Sequence, residues 1–164
     1  MKILGIMGSP RIGGNTDVLM NEALRGAREA GAFAEKIVVD ELEISPCAEF
    51  NGCTRDGNCV IRDDMDDIYE SLDEADAVIL GAPIFFYGLP AQLKALVDRC
   101  QVFWARKYVL KKAPVKQGRK GAFIAVGATK GANLFDGVKL TVKCLFDVMD
   151  VDYSDELLVR SVDG

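Results

Sequence analysis

A nine-residue stretch near the start of the chain, residues 8–16, carries the groups best suited to bind an anion. It reads Gly-Ser-Pro-Arg-Ile-Gly-Gly-Asn-Thr and lies between an apolar run, residues 3–7, and a segment of helical pattern that begins at Asp17. The first backbone N–H groups of a helix lack partners within the helix and carry partial positive charge. The loop adds four donor side chains, those of Ser9, Arg11, Asn15 and Thr16. The stretch therefore predicts a phosphate site, with an ordinary strand-to-helix turn capped by Asn or Thr as the alternative.

Several common kinds of site are excluded by what the chain lacks. The stretch has neither the Gly-Lys-Ser/Thr ending of a P-loop nor the Gly-x-Gly-x-x-Gly of a dinucleotide fold. The chain contains no histidine, which excludes Ser-His and Cys-His catalysis, a histidine general base and zinc sites that use histidine. Chemistry would then depend on a cofactor, a cysteine, a carboxylate, a lysine or a tyrosine.

Length and composition indicate one domain, residues 1–164, with enough apolar sequence for a real core. The chain has 164 residues, 49% of them hydrophobic, and a formal net charge of −5. This charge argues against nucleic acid or an anionic membrane as the main partner. No apolar run approaches the ~20 residues of a membrane span, and the start shows no signal-peptide pattern. With five cysteines, an odd number, we expect reduced thiols or metal ligands in a cytoplasmic protein.

Apolar runs of strand type alternate with segments of helical periodicity along the whole chain. The runs are residues 3–7, 37–39, 77–82, 122–126 and 156–159. Such alternation predicts an α/β fold with βαβ units, a parallel sheet and helices on both faces. For five strands and this length we expect a flavodoxin-like three-layer sandwich with strand order 2-1-3-4-5. The chain stops just after the fifth strand, so either a closing helix is missing or a partner subunit covers that face.

Three loops are expected to meet at the carboxyl edge of this sheet, where doubly wound folds bind ligands. The first is the phosphate-type loop. The second, residues 83–88, reads Pro-Ile-Phe-Phe-Tyr-Gly and is aromatic and apolar, and the third, residues 127–131, contains two glycines and Lys130. A phosphorylated ligand with a flat and largely apolar ring would fit this combination, and FMN is such a ligand.

Three segments resemble the NAD(P)H-dependent FMN reductase family, and most closely its iron–sulfur flavoprotein branch. They are residues 8–16, residues 82–99 (Ala-Pro-Ile-Phe-Phe-Tyr-Gly-Leu-Pro-Ala-Gln-Leu-Lys-Ala-Leu-Val-Asp-Arg) and residues 59–65 (Cys-Val-Ile-Arg-Asp-Asp-Met). The similarity runs over essentially the whole chain. It implies that the FMN phosphate is held by Ser9, Arg11, Gly14, Asn15 and Thr16. It further implies that the isoalloxazine ring is wrapped by Pro83, Ile84, Phe85, Phe86, Tyr87 and Gly88 and closed at its other edge by Thr129, Lys130 and Gly131.

Each of these assignments has a simpler alternative. The three aromatics Phe85, Phe86 and Tyr87 could be ordinary packing under a loop, although three in a row cannot all point into one core. Lys130 could stabilise the negative charge of reduced flavin, or it could be a surface lysine in a turn. The basic segment 106–120 is either a solvated loop or an attractor for the phosphates of a nicotinamide cofactor.

The cysteine-bearing segment, residues 47–59, matches the family motif incompletely. The branch typically carries Cys-x-x-Cys-x-x-Cys-x5-Cys, and Cys47, Cys53 and Cys59 match its first, third and fourth positions, with Phe50 at the second. A four-iron cluster normally needs four thiolates. Three interpretations stay open: a lost cluster, a three-iron or otherwise completed cluster, and a zinc site or redox-active disulfide. The other two cysteines, Cys100 and Cys144, are predicted to be core residues.

The resemblance implies an FMN-dependent oxidoreductase that passes electrons from NAD(P)H to a quinone, a flavin or another small acceptor. Hydride transfer to flavin requires no protein acid or base, so we assign no catalytic side chain. Tyr87 is a candidate contact for the second substrate. The alternatives are an electron-transfer protein fed by a ferredoxin-type donor and a binding module that has lost FMN. The family also implies a homodimer or tetramer in which a neighbour helps to cover the flavin.

Overall fold

Five parallel strands form one sheet in the computed structural model, which describes residues 1–162. The strands are β1 (Lys2–Met7), β2 (Phe33–Val38), β3 (Ala77–Pro83), β4 (Arg119–Gly127) and β5 (Val151–Arg160). Their order is β2-β1-β3-β4-β5, and each neighbouring pair is parallel. The predicted flavodoxin-like fold and strand order are confirmed.

Helices connect the strands and cover both faces of the sheet. They are α1 (Asn15–Glu29), α2 (Cys53–Asp56), α3 (Met65–Glu74), α4 (Ala91–Arg99), α5 (Gln101–Trp104) and α6 (Asp136–Val148), with a 3-10 turn at Val39–Glu41 and a π-helical turn at Ala105–Val109. Within the described part of the chain, no helix combines the length and the apolar character that a membrane crossing requires.

The alternating direction of side chains along each strand explains the two layers of core. On one face, Ile3 and Met7 of β1 contact Met20 and Leu24 of α1. On the other face the larger cluster joins β1, β3 and β4 to α3, α4 and α6, and Phe123 lies at its centre with no exposed surface. Because all five strands are parallel, their carboxyl ends meet at one edge, which places the loops after β1, β3 and β4 together.

The two edge strands are longer than predicted. β2 begins at Phe33 rather than residue 37 and ends at Val38, while β5 runs from Val151 to Arg160 rather than from 156 to 159. Edge strands face solvent along much of their length, and charged residues interrupt their apolar pattern. A search for continuous apolar runs recognises central strands, which are buried on both faces, and shortens edge strands.

The prediction that both helical cysteines lie in the core is half right. Cys100 is buried, but Cys144 is exposed. On α6 the buried positions are Val138, Val142 and Leu145. Cys144 directly precedes Leu145, and neighbouring positions on a helix are about 100° apart around its axis. Its side chain therefore faces away from the core.

Candidate functional site

The loop between β1 and α1 ends at an uncapped helix terminus. Gly8 N–H donates to the Gly81 carbonyl at 2.7 Å, which ties the loop to the end of β3. Gly14 occupies the cap position, and no described side chain hydrogen-bonds to the start of α1. The alternative in which Asn15 or Thr16 caps the helix is therefore wrong. The leading N–H groups of α1 are free of side-chain caps and face a potential ligand.

Backbone hydrogen bonds shape this loop around Arg11. The Ser9 hydroxyl oxygen accepts from Arg11 N–H at 3.1 Å, and Gly14 N–H donates to the Arg11 carbonyl at 3.2 Å. Gly13 has φ +73°, a left-handed conformation that glycine adopts without a steric cost. Ser9 and Thr16 are buried, whereas Arg11 is exposed. The main chain is thus held in place while the guanidinium reaches solvent beside it.

A buried ion pair supports the loop from behind, and the sequence analysis missed it. The Asp17 carboxylate accepts from Gly13 N–H at 2.8 Å and from the Lys36 ammonium at 2.7 Å. Burial alone would raise the pKa of Asp17, but the hydrogen bonds from Lys36 and Gly13 outweigh it and hold the pKa below its ordinary value. Asp17 is therefore charged in the folded protein at neutral pH. An acid immediately after a phosphate-type loop was the available signal.

The loop after β3 is a tight turn whose side chains are displayed to solvent. Phe85 N–H donates to the Gly88 carbonyl at 3.0 Å, and Gly88 N–H donates back to the Phe85 carbonyl at 2.8 Å. Phe86 and Tyr87, the two residues between them, have φ of 49° and 61°. Phe86 is 103% exposed, and Phe85 and Tyr87 are 48% and 57% exposed. The alternative in which these aromatics are ordinary packing under a loop is therefore wrong.

The loop after β4 reaches the aromatic turn, and the end of the described chain reaches the first loop. A Cβ on Gly131 would lie 3.4 Å from the Tyr87 hydroxyl, so these two loops are in contact. The Asn15 side-chain amide donates to the Val162 carbonyl at 3.4 Å. Lys130 is exposed.

These loops enclose a cavity of about 220 Å³ at the carboxyl edge of the sheet. Eight of the predicted residues line it: Ser9, Arg11, Gly14, Asn15, Thr16, Pro83, Ile84 and Phe85. Six predicted residues are outside its lining: Phe86, Tyr87, Gly88, Thr129, Lys130 and Gly131. Four lining residues were not predicted: Pro10, Val126, Ala128 and Val162. Of these, Val126 and Ala128 could have been found because they stand at the end of a predicted strand, whereas Val162 carries no local signal.

The three cysteines of the motif lie in one region of the protein. Cys47, Cys53 and Cys59 are all partly buried. Burial raises the pKa of the Cys53 thiol, and the proximity of Cys59 and Cys47 raises it further. Among the described residues, no three Cys, His, Asp or Glu side chains are placed to hold a metal ion together. The second motif position is Phe50, whose side chain cannot ligate iron, so the motif offers three thiolates where a four-iron cluster normally needs four.

Charged side chains from elsewhere in the chain hold this cysteine segment in place. Arg99 is fully buried and donates two hydrogen bonds to Asp63, at 2.7 and 3.1 Å. It also donates to the carbonyl of Ser45 at 2.8 Å and to that of Ile61 at 3.2 Å, on either side of the segment. Burial opposes the charge on Asp63, yet the Arg99 pair keeps its pKa below the ordinary value. Hydrogen bonds from Arg99 thus link the two sides of the segment, and the ion pair with Asp63 holds Arg99 in place.

The basic segment 106–120 lies far from the cavity. β4 begins at Arg119, so the segment meets the amino edge of the sheet, about 25 Å from the carboxyl end of this strand. Several of its cations already have partners: Lys107 pairs with Asp147 and Asp150, Lys116 with Asp76, and Lys120 with Asp152. This position favours a structural role over the attraction of a nicotinamide cofactor to the cavity.

A comparison of the sequence with known protein families gives a match over most of the chain. Residues 1–138 match the family described as NADPH-dependent FMN reductase. The chain belongs to this family. This match confirms the resemblance noted in the sequence.

Two relatives in sequence and one solved structure are similar to this member of the FMN reductase family. The chain is 41% identical over 135 residues to iron-sulfur flavoprotein MJ1083 of Methanocaldococcus jannaschii, a match that covers 79% of this chain and 64% of the relative. It is 36% identical over 151 residues to an iron-sulfur flavoprotein of Methanosarcina thermophila, covering 92% and 74%. An FMN-dependent NADH-azoreductase from Bacillus anthracis, solved in complex with FMN, superposes with a TM-score of 0.68 at 14% identity, covering 98% and 87%. The chain thus spans about two thirds to three quarters of the length of these two relatives, and the azoreductase supports the fold alone.

Proposed function

We propose that this chain binds FMN across the cavity and uses it to pass electrons from NAD(P)H to a small acceptor such as a quinone or a flavin. One observation carries the proposal: the uncapped start of α1 and the apolar residues Ile84 and Phe85 line the same cavity. The first group suits a phosphate and the second suits a flat ring. Family membership supports FMN as the ligand, because FMN has both a phosphate and a flat ring.

The residues that would hold the phosphate are those of the first loop. Backbone N–H groups at Asn15 and Thr16, the hydroxyls of Ser9 and Thr16 and the Arg11 guanidinium can all donate to phosphate oxygens. Pro83, Ile84 and Phe85 would contact the ring system. When bound, FMN accepts a hydride from a reduced nicotinamide and releases electrons to the acceptor, which is chemistry of the cofactor itself. A chain without histidine can support this reaction, because its own task is to bind, orient and exclude water.

The outer residues of the predicted site have a different proposed role. Lys130 is exposed, and the negative charge of reduced flavin is the target we propose for its ammonium. At an exposed site this interaction is worth at most about 1 kcal/mol, which is roughly 20 mV for a two-electron couple. Flavin potentials measured with native protein and with Lys130→Ala test this, and unchanged potentials would remove Lys130 from the mechanism.

The size of the cavity supports assembly of two or more copies. Sites for small molecules and cofactors usually enclose about 300–1,000 Å³, whereas this cavity encloses about 220 Å³. A flat ring would therefore extend beyond it toward the exposed aromatic turn, residues 85–88. A second copy of the chain placed over this turn would complete the cover, as a homodimer or tetramer.

The proposal is tested by mixing the purified, flavin-loaded protein with reductants in a stopped-flow spectrometer. We expect the flavin absorbance band to bleach rapidly with NADH or NADPH and to recover when a quinone is added. The visible spectrum and flavin extraction of the same sample establish whether FMN is bound. Protein that stays colourless after incubation with FMN would contradict the proposal and support a binding module that has lost its cofactor.

A second candidate is an electron-transfer protein that receives electrons from a ferredoxin-type donor. The similarity to proteins named iron-sulfur flavoproteins favours it, and Phe50 in place of the second motif cysteine weighs against it. Rapid bleaching by reduced ferredoxin, but not by either nicotinamide, would establish this candidate and exclude the first. Iron and acid-labile sulfide analysis of anaerobically purified protein tests the cysteine segment directly.

A further inference from the structure

The buried pair Asp17–Lys36 joins the phosphate-type loop to the neighbouring strand. Asp17 is the third residue after the cap position of α1, and it is 3% exposed. One of its carboxylate oxygens accepts from Gly13 N–H, and the other accepts from Lys36. The Lys36 ammonium also donates to the Asn21 side-chain oxygen at 2.8 Å. Three elements, the loop, α1 and β2, therefore meet at one carboxylate.

The parallel pairing of β1 and β2 explains how Lys36 reaches this position. Lys36 lies opposite Gly5 of β1. A Cβ on Gly5 would lie 2.9 Å from the side chains of both Leu24 and Met20, so Gly5 faces α1. Residues that are paired across two strands point to the same face of the sheet. The Lys36 side chain therefore runs beneath α1 toward its first turn.

A carboxylate at this position creates an electrostatic problem for a phosphate site. Gly14, Asn15 and Thr16 line the cavity, and they are the three residues that directly precede Asp17 in the chain. A buried negative charge so close to a bound phosphate would repel it strongly, since charges interact more strongly away from water. The Lys36 ammonium, whose side chain is 24% exposed, cancels that charge.

We propose that Asp17 is a positioning residue that holds the phosphate loop through Gly13, and that Lys36 neutralises it so that the loop accepts the phosphate of FMN. This inference rests on the proposed function and deepens it, because it names the residues that make the site selective for a phosphorylated flavin. Neither Asp17 nor Lys36 is among the residues that line the cavity, and Asp17 contacts the loop through Gly13 N–H. Its loss should therefore weaken binding of FMN and leave binding of riboflavin, which lacks the phosphate, unchanged.

Charge neutralisation predicts a distinctive order among three variants. Lys36→Met leaves the Asp17 carboxylate buried without its cation, and we expect FMN to bind at least about tenfold more weakly. Asp17→Asn keeps an oxygen that can accept from Gly13 N–H and removes the negative charge, so its loss of affinity should be about threefold or less. The double variant Asp17→Asn/Lys36→Met should recover most of the affinity that Lys36→Met loses. A pair that served only to stabilise the fold would instead weaken the binding of FMN and riboflavin alike.

The experiment is a fluorescence titration of the flavin-free full chain with FMN and, separately, with riboflavin. Arg25→Met is the matched control, because it also removes one cation that is paired with an acid near α1, but on the exposed side of that helix. We expect the control to bind both flavins as the native protein does. Circular dichroism and thermal unfolding check that each variant is folded. Lys36→Gln replaces Lys36→Met in the same set if the methionine variant does not fold.

The outcomes separate this inference from the proposed function. If native protein binds neither flavin, the proposed function fails and the inference fails with it. If native protein binds FMN but Lys36→Met weakens FMN and riboflavin equally, the inference alone is overturned. The inference is also overturned if the double variant binds FMN no better than Lys36→Met does.

Discussion

The phosphate-type loop and the aromatic turn lie at the same edge of the sheet, but they place different types of residue at their left-handed backbone positions. In the first loop the left-handed position is Gly13, where the conformation has no steric cost. In the aromatic turn two consecutive left-handed positions hold Phe86 and Tyr87. A tight turn of this kind normally favours Asn-Gly, and each bulky residue there costs about 1 kcal/mol or more.

This difference indicates which part of each loop carries the function. The first loop offers main-chain N–H groups, and glycine lets the main chain take the required shape. The aromatic turn has large aromatic side chains at left-handed positions that favour Asn or Gly, and those side chains are exposed. Exposed aromatic side chains of this kind mark contact surfaces. We therefore expect substitutions in the first loop to act on phosphate binding, and substitutions in the aromatic turn to act on ring contacts and on stability.

The largest effect is expected for Arg11→Ala in the first loop. A hydrogen bond between charged groups contributes about 1.5–3 kcal/mol, so affinity for FMN should fall about 10- to 100-fold. Affinity for riboflavin should stay within about twofold, because Arg11 would touch only the phosphate. Flavin titrations measure both, and Arg62→Ala, which removes an exposed arginine paired with Asp66, is the control. Equal losses of affinity for FMN and riboflavin would contradict the proposal that the first loop binds the phosphate while the aromatic turn contacts the ring.

The next effect is a gain of stability in the aromatic turn. Replacing Phe86 and Tyr87 together by Asn and Gly supplies the residues that this backbone prefers, and the free energy of unfolding should rise by about 1–2 kcal/mol. Turnover with a quinone should fall, because both rings are gone. Denaturant unfolding and steady-state kinetics measure the two responses. Unchanged turnover would show that the rings have no part in the reaction.

Lys111 provides the control for this double variant. It is exposed, has φ 54° and lies outside the candidate site. Lys111→Gly should also raise the free energy of unfolding, by about 1 kcal/mol, but it should leave turnover unchanged. If Lys111→Gly lowered turnover as the double variant does, relief of backbone strain would explain the loss, rather than removal of the rings.

A smaller effect is expected from Gly13→Ala in the first loop. No atom lies within 4 Å of a Cβ added at Gly13, so the variant suffers only from its φ of +73° and should lose about 1 kcal/mol of stability. FMN affinity should fall as well, because the loop would relax away from its shape. Gly118→Ala is the matched variant, since Gly118 also has a positive φ, of +68°, and no atom within 4 Å. It should lose similar stability while FMN affinity stays the same.

The smallest effect is the dependence of stability on pH that Asp17 adds behind the first loop. The pKa of Asp17 is lower in the folded protein than its ordinary value of 3.8. A depressed carboxyl pKa means that this contribution is complete above that value and is lost as the pH falls through the folded-state pKa. The stability gap between native protein and Asp17→Asn should therefore narrow below about pH 4. Denaturant unfolding across this range measures it, and a constant gap would contradict the ion pair.

How much of the fold the sequence predicts depends on how deeply each element is buried. The runs at 77–82 and 122–126 closely match β3 and β4, because central strands are apolar on both faces. β5 was predicted less well, because exposed Asp152 and Asp155 interrupt the apolar pattern in the part of the strand that precedes the predicted run. The left-handed residues of the aromatic turn were not predicted at all, since Phe and Tyr are poor indicators of such a turn.

Some residues of the candidate site could be predicted from local sequence, whereas others come from distant parts of the chain. Most lining residues fall within two short segments next to predicted strands, 9–16 and 83–85, and local sequence was enough to find these segments. Val162 lies 147 residues along the chain from Asn15, to which it is hydrogen-bonded. Lys36 reaches Asp17 because β2 lies beside β1. The sequence around Val162 and around Lys36 gives no sign of these contacts, although the acid Asp17 directly after the first loop is visible in the sequence.

By itself the sequence determined the alternation of strands and helices, the donors of the phosphate-type loop and the exclusion of histidine chemistry. These properties follow from residue types and from the period of the apolar pattern, both of which are local. Only the tertiary structure decided that Phe86 is fully exposed, that Cys144 lies outside the core, and that Lys36 neutralises Asp17. The physical reason is that each of these depends on which distant side chains the folded sheet brings together.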